Sequence, residues 1–229
     1  MKHGKKWQDA RKKLEKTRDY SLAEAVDFIR ENKGATFDET VDIAVNLGID
    51  PRKGDQAVRS AVVLPHGVGK SVRVAAFAQG ERAQEAKDAG ADFVGAEDLA
   101  EKIQGGWMDF DACVATPDMM RVVGKLGKLL GPRGLMPNPK VGTVTMEIGK
   151  AINEVKAGKV EFRAEKGAIL HASLGKTSFD APKLVENVKA FMDAVQKVKP
   201  SSAKGQYIQK VTLSSTMGQG VRVNASEFR

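Results

Sequence analysis

Apolar residues in this chain keep one rhythm near both ends and another in the middle. In TVDIAVNLGID, Val41, Ile43, Val45 and Leu47 alternate with Asp42, Ala44 and Asn46, the period of two that marks a strand with one solvated face. Arg59 to Leu64 reads as a second such strand, and the alternation returns after Gly158 in KVEFR, AILHAS, QYIQKVTLSS and GVRVN. Between them the strands are short and almost wholly apolar: SVRVAAFA, ADFVG and FDACVA. Each is followed by helical spacing, through Ala83, Ala86 and Ala89, through EDLAEKIQ, and from Thr116-Pro117-Asp118 onward. Strands alternating with helices predict a parallel sheet covered on both faces.

A chain that changes rhythm and then changes back is most simply a discontinuous two-domain protein of α/β and α+β class. Residues 1–67 plus 160–229 are expected to form an outer split β-α-β (ferredoxin-like) domain. Residues 68–159 are expected to form an inserted Rossmann-like three-layer α/β domain. The helices fit this plan. Ser21 and Glu24 make a capping box before the stripe Leu22, Ala25, Val26 and Ile29, which ends at Asn32-Lys33-Gly34. Between Asp180 and Lys199, Leu184, Val185, Val188, Phe191, Met192, Val195 and Val198 share one face, and Pro200 stops the helix.

Several fragments look catalytic and fail on spacing. LPHGVGKS ends like a phosphate loop, yet the position six before Lys70 is Leu64 in a strand, and a strand rather than a helix follows Ser71. His66 to Gly69 read instead as a flexible connection between domains. GKLGKLLGPRG has the wrong glycine spacing for a dinucleotide site and falls within a helical stretch. Asp109, Asp111 and Asp118 cluster near a strand end, where solvated loop acids are the commoner reading over a magnesium site. His3, His66 and His171 are scattered without metal-ligand spacing, and Cys113 lies in an apolar strand. No nucleophile elbow is present, so the chain is expected to be non-catalytic, with no cofactor and no metal. A two-domain nucleotide- or metabolite-dependent enzyme is the alternative, and it lacks any phosphate fingerprint.

Charge points to another partner. The net charge is +8, and it is unevenly spread. Residues 160–229 carry 11 basic and 6 acidic side chains; after Asp193, Glu227 is the one acid against Lys197, Lys199, Lys204, Lys210, Arg222 and Arg229. A second acid-free window, Met119 to Met146, holds Arg121, Lys125, Lys128, Arg133 and Lys140. Polyanions such as RNA suit these surfaces, because each neutralised phosphate releases counterions. No run of about 18 apolar residues is present to span a membrane. The basic opening MKHGKKWQDARKKLEK has no apolar core and no cleavage pattern, and Asp9 and Glu15 interrupt it as a mitochondrial presequence, the weaker alternative to the cytoplasmic location expected.

Two stretches carry more. MMRVVGKLGKLLGPRGLMPNPKVGTV runs an amphipathic helix into a Gly/Pro-rich basic loop, and SSTMGQGVRVN runs a strand into a Thr-Met-Gly turn. With FDETVDIAVNLGIDPRKGDQAVR, GADFVG, GWMDFDACVATPD and AKGQYIQKV, they make the chain similar to the bacterial L-one family of large-subunit ribosomal proteins, from Trp7 to about Asn224. The resemblance implies a two-domain protein, monomeric when free, that binds rRNA of the mobile stalk beside the exit site for deacylated tRNA. It also implies a repressor that binds its own operon mRNA.

By that resemblance RNA falls mainly on the outer domain. Its contacts are Phe37 with Thr36, His171 and Lys176 in HASLGKTSF, and the run Ser214, Ser215, Thr216, Met217, Gly218 with Gly220. Read as residues, Phe37 fits a core edge or an RNA surface, and Thr-Met-Gly fits a hairpin turn or a contact to 2′-OH groups. Family members often carry lysine where this chain has Thr36, and Arg-Asn-Asp-Lys where it has Arg163-Ala164-Glu165-Lys166. Arg133, Lys140 and Lys166 are candidate secondary basic contacts.

Overall fold

A computed structural model describes residues 4–15 and 18–228 of the chain. His3 and Arg229, singled out above, lie outside the described residues. Helix α1 (Lys5–Lys13), which is not among the elements expected from the sequence, buries Ala10. Helix α2 (Leu22–Glu31) starts on the capping box: Ser21 Oγ accepts from Glu24 N–H and the Glu24 carboxylate accepts from Ser21 N–H. Its stripe of Leu22, Ala25, Val26 and Ile29 is buried. Strand β1 (Thr40–Leu47) buries every second residue, as its pattern requires, and β2 (Arg59–Val63) follows after a turn.

The next elements are β3 (Val74–Phe77), α3 (Glu81–Asp88), β4 (Phe93–Gly95), α4 (Glu97–Gln104) and β5 (Ala112–Ala115). Helices α5 (Met120–Lys125), α6 (Gly127–Leu130) and α7 (Ile148–Lys156) complete this stretch. The helix expected after Thr116 is broken at Leu126, between two glycines of low helix propensity. Helix α7 buries Ile148, Ala151, Ile152 and Val155, an i, i+3, i+4, i+7 stripe that the sequence reading passes over. The chain ends with β6 (Lys159–Arg163), β7 (Ile169–Lys176), α8 (Ala181–Lys197), β8 (Ile208–Ser215) and β9 (Val221–Val223).

The fold is mixed α/β, and the chain separates into two compact units. One comprises the described residues of Met1–Gly69 and Val160–Arg229, the other Lys70–Lys159. In the first unit the sheet order is β7-β1-β8-β9, with β1 antiparallel to both neighbours. Strands β7 and β8 are therefore parallel to each other, joined by α8 with β1 inserted between them, a split β-α-β arrangement. One sheet face packs Val41, Ile43, Val45, Leu170, Leu174, Val211 and Leu213 against α2 and α8. The other presents Asp42, Ser173, His171, Thr212 and Ser214, all at least partly exposed.

The segment after β2 departs from expectation. Asn187 of α8 is fully buried; its Oδ1 accepts from His66 N–H (3.1 Å), and its Nδ2 donates to the carbonyls of Gly67 (3.0 Å) and Leu174 (2.7 Å). Of the His66–Gly69 segment expected to be flexible, His66 and Gly67 are thus pinned to the core by a buried amide.

In the second unit β3 lies between β4 and β5, parallel to both, and all four of its residues are buried. Ala75 and Phe77 face one core with Leu99, Ile103, Val123 and Leu126. Val74 and Ala76 face the other with Ala86, Val114, Ile148 and Ile152. Alternation along one central strand thus feeds two helical layers, which is why its sequence is continuously apolar.

Candidate nucleic-acid interface

The edge of the antiparallel sheet where β1 begins is organised by three consecutive residues, Asp38, Glu39 and Thr40. Glu39 is 0% exposed, yet it is a carboxylate. Its Oε1 accepts from the N–H groups of Gly34 (2.9 Å) and Ala35 (2.8 Å), and its Oε2 accepts from Met217 N–H (3.0 Å). Burial pushes its pKa up, but bonds from Ala35 N–H, the Ser215 hydroxyl, Met217 N–H and Gly34 N–H outweigh that, and the carboxyl sits below its ordinary value. One charged group therefore fixes both the loop leading to Phe37 and the backbone of Met217.

Thr40 ties the adjoining strands. It donates its N–H to Thr216 Oγ1 (3.0 Å), accepts Thr216 N–H at its carbonyl (3.1 Å), and accepts Lys176 Nζ at its hydroxyl (2.9 Å). Asp38 closes the remaining side, accepting from Ser178 N–H (3.1 Å), Ser178 Oγ (2.7 Å) and Thr177 Oγ1 (3.1 Å). The Ser178 hydroxyl leads the bonds that hold its carboxyl below the ordinary value. The β1–β7 register skips Leu174 between Val41 and Asp42, a bulge of the kind that re-aims side chains at a sheet rim, two residues from Lys176.

What this scaffold displays is apolar. Phe37 is 54% exposed and Met217 61%, so Phe37 is no core-edge residue. Neither is explained by folding, since each holds a large apolar surface in water on a backbone locked from beneath. Around them lie exposed Thr36 and Thr216, half-buried Lys176 and partly exposed Ser214. His171 sits farther along β7, opposite Ala44, on the open sheet face.

One of the sequence-predicted contacts does other work. Ser215 is 4% exposed and turns its hydroxyl to Glu39, so it supports the surface rather than lining it. Gly218 is required sterically, because a Cβ there would stand 2.3 Å from Ser215 Oγ. Gly220 is exposed, and a Cβ on it would meet Thr212 Cγ2 at 3.2 Å.

The basic loop belongs to the other unit. Asn138 folds it, donating its N–H to Thr143 Oγ1 (2.8 Å) and accepting Lys140 N–H at Oδ1 (2.8 Å). Arg133 and Lys140 project from it, exposed and in no ion pair among the described residues. Lys166 is exposed in the turn between β6 and β7, where Ala168 adopts a left-handed φ of 58°.

The enzyme-like fragments resolve into structure. Lys70 pairs with Asp111 (3.0 Å), and Arg73 bridges Asp111 and Asp109, so these acids anchor the start of β3. Asp118 pairs with Arg82 (2.9 Å). Cys113 is buried, which raises its thiol pKa and suppresses the reactive thiolate.

Asp38, Glu39 and Thr40 organise this edge and are not among the residues singled out from the sequence. Their signal was two adjacent acids inside FDET, at the mouth of an otherwise RNA-suited surface. Rigidly displayed apolar groups with hydroxyls and a lysine suit the wide, shallow minor groove of folded RNA and its 2′-OH groups. The sequence pattern of the Ribosomal protein L1p/L10e family matches residues 29–219, a span that takes in every element of this surface from Phe37 to Gly218. The chain therefore belongs to the ribosomal L1 family and is a large-subunit ribosomal protein that binds rRNA.

Proposed function

We propose that this protein grips the rRNA of the mobile stalk with the surface built around Phe37 and Thr216-Met217-Gly218, and so positions the stalk to assist release of deacylated tRNA from the exit site. The same surface binds a structural copy of that rRNA site in the protein's own operon mRNA and represses its translation. In this reading the protein acts as a monomer in the cytoplasm, without catalysis. The unit formed from both chain segments is the RNA-binding domain, and Lys70–Lys159 is a Rossmann-like domain inserted into it.

The observation that carries this reading is the fully buried Glu39 carboxylate, which locks two backbones beneath two exposed apolar side chains. A buried charge held this way serves display. Filter binding to a stalk rRNA fragment tests it. Thr216→Ala and Met217→Ala should each cost about 1–3 kcal/mol of affinity, and the operon mRNA should compete for the same surface. Unchanged binding by both variants would remove the site.

A further inference from the structure

At the free edge of the parallel sheet, β4 has a strand neighbour on one side, β3. Beside it lies a pocket of about 670 Å³, within the range of small-ligand sites. Its wall is aromatic. The half-buried Trp107 stands edge-on to Phe93, ring centroids 4.6 Å apart at 81°, with buried Leu99 beneath. Four charged side chains complete the lining, and they are not equivalent. Asp92 accepts Val74 N–H (2.9 Å) and pairs with Lys156 (3.6 Å), while Asp98 accepts Ala96 N–H (2.8 Å) at the start of α4. Both carboxylates are engaged by the protein itself. Lys87 and Lys102 are exposed and form no ion pair among the described residues. The pocket thus offers partly exposed aromatic rings and two exposed lysine ammonium groups, of which Lys102 lies close enough to Asp98 to favour its charged form.

We infer that this pocket takes one unstacked nucleotide of single-stranded RNA, its base against Trp107 and Phe93 and its flanking phosphates on Lys87 and Lys102. Stacking on an aromatic face tolerates any base, and lysine ammonium groups track the backbone, so the site reads strandedness rather than sequence. It rests on the chain being an RNA-binding protein, but not on the Thr216-Met217 surface, and it gives the second unit a binding role of its own.

The chain has two tryptophans, so a Trp7→Phe variant of the full-length protein reports on Trp107 alone. Titration with a short oligoadenylate should quench Trp107 emission saturably. Raising salt from about 50 to 200 mM should weaken that binding about sevenfold, as two phosphate contacts on a single strand require. The Lys87→Ala/Lys102→Ala variant should bind weakly and lose the salt dependence. Quenching that persists unchanged in that variant, or no quenching at all, overturns the proposal. Equal binding of free adenosine monophosphate, or stronger quenching by an acidic peptide, overturns its assignment to RNA. The response should survive Thr216→Ala/Met217→Ala, so failure here and failure of the stalk-binding surface are separately visible.

Discussion

The four-stranded antiparallel sheet and the three-stranded parallel sheet end differently. At the mouth of the antiparallel sheet, several polar groups are turned inward to hold backbone, and the large apolar side chains left outside are Phe37 and Met217. At the C-terminal ends of β3 and β5, where the strand order reverses and α/β proteins commonly bind ligands, the polar groups satisfy one another. There Arg82 pairs with Asp118, Thr116 is buried against the Phe77 carbonyl, and the remaining hollow is about 300 Å³. Among the described residues the polar groups at the C-terminal ends of β3 and β5 are therefore spent on one another, while the antiparallel sheet spends its polar groups on backbone beneath exposed apolar side chains. Fold and function separate here at the level of individual hydrogen bonds.

The sharpest way to break this contrast is to remove the carboxylate. Glu39→Ala would orphan the N–H groups of Gly34, Ala35 and Met217 and leave a buried void. We expect a loss of about 3–5 kcal/mol in urea denaturation, with RNA affinity falling as well. Glu39→Gln keeps one acceptor oxygen and should lose less. The pH dependence has a definite sign. The folded carboxyl lies below its ordinary value, so its contribution is fully present above the unfolded pKa of about 4.3 and is lost as pH falls through the folded value. The stability gap between wild type and Glu39→Gln should therefore close in acid and remain constant from about pH 6 to 8, above the range in which the unfolded carboxyl titrates. A gap that stayed unchanged in acid would show that hydrogen-bond geometry rather than charge holds the loops.

Phe37→Ala sharpens the contrast from the other side. An exposed side chain on a locked backbone should be removable with a stability change within about 0.5 kcal/mol, yet at a cost of about 1–3 kcal/mol in stalk rRNA affinity. Equal losses in both measurements would make Phe37 a folding residue after all.

How far the sequence anticipates this depends on the distance over which each signal acts. Capping at Ser21, the alternation from Val41 to Leu47 and the stripe of α8 are local periodicities, and each element forms where its pattern lies. The stripe of α7 is equally local, since Ile148, Ala151, Ile152 and Val155 keep helical spacing. The register that places Thr40 opposite Lys176 and Val41 opposite Ser215 joins residues more than a hundred positions apart, and no periodicity encodes it. Motif resemblance could mark Thr216 and Met217 as contacts, but it could not separate Ser214, which faces out, from Ser215, which faces Glu39. Asn187 shows the same limit: an asparagine inside a hydrophobic helix looks like a defect until the carbonyls it serves are brought to it.

Two smaller effects test the edges of the comparison. Ala168 holds a left-handed φ of 58° in the turn before β7, a conformation that costs an L-residue about 1–2 kcal/mol. Ala168→Gly should therefore stabilise the protein by about 1 kcal/mol, less what glycine adds to unfolded-chain entropy. RNA binding should not move, because the turn contributes no bond to the Glu39 network.

The least perturbing change is Asp118→Asn, which removes the ion pair to Arg82 at the switch point of the parallel sheet. Both partners are solvent-exposed, 37% for the Arg82 side chain and 72% for Asp118, and a pair so placed contributes at most about 0.5–1 kcal/mol. If the C-terminal end of β5 has no ligand to serve, freeing Arg82 should change neither stalk rRNA affinity nor its salt dependence. A measurable gain or loss of affinity would mean that Arg82 is held back from an anion by Asp118, and the contrast between the two sheets would then be one of degree.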